Sequence, residues 1–185
     1  MGRDKPFVRL AGRTLLERAV RVVIQAGGAP LIVGPRRPEA GAEGVRWVDE
    51  TADGGERTGP LRALTHGLTV CGTTVAVALA CDLPLVPADL LRFLVAASEG
   101  HDAAVPRAAG ELQVLAAAYT TACLPVMTGR LASGAASVHG CLGGVNCRIL
   151  EAEELRRFGG DEMFLNVNTP DDLARAESIL AATGR

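Results

Sequence analysis

Aromatic residues make up only 3% of this 185-residue chain. Platforms that hold single-stranded nucleic acid need successive aromatic faces, which so few rings cannot supply. A surplus of either charge is missing too: 19 basic and 21 acidic residues leave a net charge of −2, with no basic block. Nucleic acid is therefore not the expected partner. No apolar run reaches the ~20 residues that cross a bilayer. The start, Met1-Gly2-Arg3-Asp4-Lys5, is charged and lacks the apolar core of a signal peptide. A cytoplasmic protein without a membrane partner is expected. The cysteines, Cys71, Cys81, Cys123, Cys141 and Cys147, are odd in number and form no CxxC pair. Neither a zinc site nor a redox pair follows, and they read as small buried hydrophobes in a reducing compartment. No Ser-His-Asp pattern stands out, and His66, His101 and His139 lack an orienting partner in sequence.

What is present is an alternation of strand and helix signals. Its centre is Val75-Ala76-Val77-Ala78-Leu79-Ala80-Cys81-Asp82-Leu83-Pro84. The uncharged run predicts a strand covered on both faces. It stops on Asp82, and Pro84 cannot continue a central ladder. Ligands of open α/β sheets bind outside the carboxyl ends of strands. A carboxylate there suits a hard divalent cation shared with phosphates, although Asp is also common simply as a turn residue.

The remaining elements follow in order. Thr14 and Glu17 have capping-box spacing ahead of a helix whose apolar face is Leu15, Leu16, Ala19, Val20, Val23 and Ile24. Pro30–Gly34 and Val45–Val48 read as short strands, and Thr51–Pro60 as a loop. A helix starts near Pro60 with Leu61, Leu64 and Leu68 inside, and another spans Ala88 to about Ala97 with Leu90, Leu91, Leu94 and Val95 inside. Ala103–Pro106 and Gln113–Tyr119 predict an antiparallel pair on a mainly parallel sheet. Helical pieces fill 120–145, and Cys147–Leu150 and Met163–Asn168 read as strands. Thr169-Pro170-Asp171-Asp172 opens a last helix. The expectation is an α/β fold in one domain, 1–185, with no repeat and no linker.

Asp49, Asp82, Asn166 and Asn168 fall at predicted strand ends or turns, and Lys5 lies near the start, ahead of the first helix. A lysine, a metal-binding carboxylate and further oxygens suit the clamping of a polyphosphate, as in phosphoryl or nucleotidyl transfer.

Gly2-Arg3-Asp4-Lys5-Pro6, followed by Leu10-Ala11-Gly12-Arg13-Thr14-Leu15-Leu16, resembles the stretch after the glycine-rich loop of molybdenum cofactor guanylyltransferases. Thr58-Gly59-Pro60-Leu61, Cys81-Asp82-Leu83-Pro84 and Phe164-Leu165-Asn166-Val167-Asn168-Thr169-Pro170-Asp171-Asp172-Leu173 resemble further motifs of these MobA-like nucleotidyltransferases, in order and across the chain. The resemblance implies a Rossmann-like three-layer α/β/α fold with a mostly parallel sheet and an antiparallel strand. It implies transfer of GMP from GTP to molybdopterin-bound molybdenum, with Mg²⁺ and release of pyrophosphate. Partners would be GTP, the molybdenum cofactor, and molybdoenzymes or cofactor-insertion proteins.

By position, Lys5 and Asp82 would be catalytic. Asp82 would hold the metal and face the nucleotide, and Lys5 would contact the phosphates. Asp49 matches a nucleotide-contacting residue. Gly34 stands where the family often has Asn, which leaves only backbone contacts to a base. Gln113, Asn166 and Asn168 would serve the acceptor, the two asparagines at the pterin side or beside the metal. The Asn-Val-Asn form favours GTP over the CTP of the cytidylyltransferase relatives. Another acceptor, or a nucleotide-binding domain without turnover, stays open. The family begins with an apolar strand and a loop resembling Leu-Ala-Gly-Gly-x-Ser-x-Arg-Met-Gly, whereas this sequence starts at the Met-Gly. Either the recorded start is internal to a longer reading frame, which is the favoured expectation, or the chain is a truncated, impaired relative; loss of a central strand would expose two neighbouring sheet edges.

Overall fold

The computed structural model describes residues 5–35, 44–49 and 59–183. Gly2–Asp4, Thr58 and most of the loop expected over 51–60 lie outside them. After a 3₁₀ turn, Lys5–Phe7, comes a small hairpin, β1 Arg9–Leu10 and β2 Arg13–Thr14. Helix α1, Leu15–Gln25, then starts as the spacing predicts. The Glu17 N–H donates to Thr14 Oγ1 at 3.1 Å, and the Thr14 N–H donates to Glu17 Oε2 at 2.7 Å. The reciprocal pair satisfies two amides that a helix start otherwise leaves unpaired. The helix stops at Ala26, and Gly27 takes φ 86°, a left-handed turn that favours glycine.

The next elements are β3 Leu31–Val33, β4 Arg46–Val48, α2 Pro60–Val70, β5 Val75–Leu79, α3 Ala88–Ala97, β6 Ala103–Ala108, β7 Glu111–Leu112 and β8 Ala116–Thr120. They are followed by α4 Leu124–Ala132, α5 His139–Leu142, β9 Cys147–Leu150, α6 Ala152–Leu155 and α7 Pro170–Thr183. Strand β3 pairs parallel to β4. In the larger sheet β8 pairs antiparallel to both β5 and β6, while β9 runs parallel to β6. Strands β5, β6 and β9 therefore share one direction, β8 is reversed between β5 and β6, and the short β7 also runs antiparallel to β6. This is the expected antiparallel insertion.

Side-chain alternation builds the three layers. On β5, Val75, Val77 and Leu79 face the core that holds Leu90, Leu91 and Leu94 of α3, while Ala76 and Ala78 face the core that holds Leu61 and Leu68 of α2 and Met127 of α4. Strand β8 sorts the same way, with Ala116 and Ala118 on the first side and Ala117 and Tyr119 on the second. A third cluster, Leu10, Leu15, Leu85, Val167, Ala176 and Leu180, seats α7 against the start of the chain.

Three sequence expectations need correcting. Met163–Asn168 is not a strand: Gly160–Phe164 is a 3₁₀ turn, and the chain after it is irregular. Gly159 and Gly160 at φ 131° and 64° set up that turn. Gln113–Leu115 precede β8 rather than belonging to it, because the Ala116 N–H closes a turn onto Gln113 O at 2.9 Å. Ile24 and Val95, expected in the core, are 56% and 41% exposed.

The face of α1 that carries Ala19, Val20 and Val23 lines an apolar cavity of about 810 Å³ rather than closed core. Leu31–Val33 of β3 and Val75–Leu79 of β5 line it too. Among the described residues each of these strands keeps one edge unpaired.

Candidate active site

Strand β5 delivers Asp82 to its carboxyl end. The chain leaves the sheet through a turn in which the Leu83 N–H donates to Ala80 O at 3.2 Å. A second segment, running from Leu165 into α7, lies beside this turn. The two are tied by one backbone bond, Val167 N–H to Asp82 O at 2.9 Å. Val167 is buried, so its neighbours Asn166 and Asn168 present their side chains outward.

Thr169 and Asp172 then fix the start of α7. Asp172 Oδ2 accepts from the N–H groups of Asn168 at 3.0 Å and Thr169 at 2.8 Å. Thr169 Oγ1 accepts from the Asp172 N–H at 3.1 Å. These bonds, the Thr169 hydroxyl first and the two amides after it, hold the Asp172 carboxyl below its ordinary range.

Lys5 completes the cluster from the short turn that precedes β1. Its Nζ donates to Asp82 Oδ2 at 2.6 Å and to Asn166 Oδ1 at 3.4 Å, and a third bond runs to Asn168 Oδ1. An ammonium has three donors, and here each has one oxygen acceptor. Lys5 is one-third exposed and Asp82 one-fifth exposed, so the cluster sits at a rim open to solvent.

The donor set of one carboxylate and two amide carbonyls is chemically hard, and it already converges on one positive atom. Such a set fits a Mg²⁺ that draws its remaining oxygens from water and from substrate phosphates. Among the described residues no group of three or more His, Cys, Asp and Glu side chains gathers to hold a metal.

The other candidates separate from this cluster. Gly34 follows β3, donates its N–H to Val48 O at 2.9 Å, and lines the apolar cavity together with Asp82. Asp49 follows β4, half-buried, and is not part of that lining. Gln113 sits between β7 and β8, with its N–H on Pro106 O at 2.8 Å and its side-chain amide reaching Glu111 O at 3.5 Å. It is bonded to neither Lys5 nor Asp82. The histidines stay apart: His101 Nδ1 lies 3.0 Å from Glu99 O, and His139 Nε2 lies 3.1 Å from Leu112 O. Burial pushes the Cys123 thiol up to about 11, which removes it as a nucleophile near neutral pH. Sequence reasoning reached Lys5, Asp82, Asn166 and Asn168 but assigned Asp172 only to a helix start. The Thr-Pro-Asp-Asp spacing was the available signal.

Comparison with known proteins adds a family model described as the MobA-like NTP transferase domain, which matches residues 1–142. A protein of Pelotomaculum thermopropionicum with the name "Probable molybdenum cofactor guanylyltransferase" is 33% identical, over 100% of this chain and 89% of its own. One of the same name from Natronomonas pharaonis is 30% identical, over 96% of this chain and 90% of its own. Among solved structures, molybdopterin-guanine dinucleotide biosynthesis protein A from Archaeoglobus fulgidus superposes with a TM-score of 0.81 at 24% identity, covering 98% of this chain and 92% of that one.

Proposed function

The chain belongs to the MobA-like NTP transferase family, and from that premise we propose that it joins GMP from GTP to molybdopterin-bound molybdenum cofactor and releases pyrophosphate. The observation that carries the reading is the convergence of Lys5, Asp82, Asn166 and Asn168 on one point at the end of β5. Relatives named as guanylyltransferases across nearly the whole chain support GTP as the donor.

In this reaction a terminal phosphate oxygen of the acceptor attacks the α-phosphorus of GTP. One P–O bond forms, the bond to the β-phosphate oxygen breaks, and pyrophosphate leaves with its electron pair. The protein need not form a covalent intermediate. It has to align the two phosphates and offset their charge. Lys5 brings a positive charge to the triphosphate. Asp82, Asn166 and Asn168 supply the oxygens that would hold Mg²⁺, which when bound neutralises phosphate charge and polarises the α-phosphoryl group. Gly34, with no side chain at the cavity wall, leaves the base room and a backbone contact. Asp49 and Gln113 remain a nucleotide and an acceptor contact in this reading. It places the reaction in the cytoplasm, with a molybdoenzyme or a cofactor-insertion protein receiving the product.

The test is pyrophosphate release with molybdopterin-bound molybdenum and either GTP or CTP. Turnover with GTP, absent in Asp82→Ala, is expected. Turnover with CTP alone would move the chain to the cytidylyltransferases. Nucleotide binding without pyrophosphate release would leave a binding domain of the same fold.

A further inference from the structure

We infer that Lys5 is the internal counter-cation of the Asp82 site, and that it must leave those oxygens before they can accept a divalent cation. This deepens the proposed function and rests on it for the identity of the nucleotide. The argument starts from donor and acceptor arithmetic. Lys5 Nζ already spends its donors on Asp82, Asn166 and Asn168. Nothing is left on it for a phosphate. The same three oxygens are the ones a cation would take, and an ammonium and a divalent cation held on them a few ångströms apart repel each other.

Phosphate binding and cation binding at this site are therefore one exchange. Lys5 moves to the triphosphate, and the three oxygens are released together. Asp82 and Asn168 stay in place during that movement, because backbone bonds from Val167 and to Asp172 hold their segments. Lys5 is joined to its turn only through a long flexible stem. Two consequences follow. Free cation binds poorly, because it must displace an ammonium already held by the same three oxygens. The triphosphate raises cation affinity beyond what its own oxygens supply, because it gives the ammonium somewhere to go. By linkage the cation raises triphosphate affinity by the same factor.

The experiment measures Mn²⁺ binding by electron paramagnetic resonance in the parent chain, Lys5→Met and Lys5→Gln. Each is measured alone and with the α,β-methylene analogue of GTP, which cannot release pyrophosphate. Circular dichroism melts establish that each variant is folded, and the two variants guard against one side chain failing to pack. The expected result is free Mn²⁺ binding at least tenfold tighter in both variants. The factor by which the analogue raises Mn²⁺ affinity should be at least tenfold smaller than in the parent. Free Mn²⁺ binding equal in parent and variants would overturn the inference. That comparison needs no nucleotide, so it reads Lys5 even if the chain ignores GTP. An analogue that leaves Mn²⁺ affinity unchanged in the parent would instead count against the proposed nucleotide.

Discussion

Replacing Asp82 by Asn separates what this residue does for the fold from what it does for the reaction. The substitution keeps one side-chain oxygen, the approximate shape and the backbone carbonyl that accepts the Val167 N–H at 2.9 Å. It removes one negative charge. For stability the loss is confined to the Lys5 pair at 2.6 Å, whose partners are 35% and 20% exposed. Pairs this accessible are screened and contribute about 0–1 kcal/mol. Urea unfolding should therefore shift by about 1 kcal/mol or less. For the reaction, the site has one carboxylate and two neutral oxygens. Losing that carboxylate's charge compares with deleting a preorganised electrostatic group at the reacting centre, about 10²–10³-fold in rate, or roughly 3–4 kcal/mol of barrier. The assays are urea unfolding followed by circular dichroism and pyrophosphate release from GTP on the same samples. Activity within tenfold of the parent would refute the metal-site reasoning. A stability loss above about 2 kcal/mol would show that Asp82 is mainly a structural residue.

Other substitutions test the scaffold around the site. Leu94, fully buried between α3 and the sheet, should cost about 2–5 kcal/mol when cut to Ala, read as a lowered urea midpoint. Gly67 lies on α2 where an added Cβ would meet Val33 Cγ2 at 3.0 Å, so Gly67→Leu should push β3 away and lower stability by about 1–3 kcal/mol. With its thiol at about 11, Cys123 should resist iodoacetamide at pH 8 in the native chain while the half-buried Cys71 reacts; mass mapping showing equal rates would contradict this. The Thr14 amide, first among its causes, holds Glu17 below its ordinary carboxylate range. A depressed folded-state pKa means stability that is complete above the ordinary Glu value and is lost as pH falls through the folded value. Urea midpoints measured from pH 7 to pH 3 should therefore fall less steeply in Glu17→Gln than in the parent.

Local chemistry made much of this fold legible. The Thr14–Glu17 box and Pro60 announce helices because they satisfy or remove amides at helix starts, a contest settled within a few residues. Strand β5 was legible because both of its faces are covered, which leaves an uncharged run. Met163–Asn168 misled because its apolar residues enter the core from an irregular chain. No ladder forms, and Val167 uses its N–H on the Asp82 carbonyl. Gln113 misled for a similar reason. Tyr119 sends its hydroxyl to Val114 O at 2.8 Å, which keeps this stretch bent toward the sheet instead of within it. Helix α6, Ala152–Leu155, is a single turn and leaves too short a period to read. Ile24 follows the apolar period of α1, yet it lies on a side of the helix shared with Arg9, Arg13, Glu17, Arg21 and Gln25, where no apolar wall covers it among the described residues.

The site itself was legible residue by residue but not as an arrangement. Lys5 and Asn168 are 163 positions apart, and no pattern in either segment states that they meet. What joins them is backbone. Asp82 reaches the end of β5, its carbonyl takes the Val167 N–H, and Asp172 holds the amides of Asn168 and Thr169. The oxygens are thereby set by main-chain bonds that no substrate has to form. This assigns the movable part of the site to Lys5, the one member whose functional atom stands at the end of an unbranched alkyl chain. A preorganised set of acceptors with one exchangeable cation keeps the carboxylate neutralised before substrate arrives. Binding a polyanion then becomes the event that frees it. On this view the cost of preparing the site falls on nucleotide binding, and the rigid pairing of the two turns keeps that cost from becoming a rearrangement of the fold.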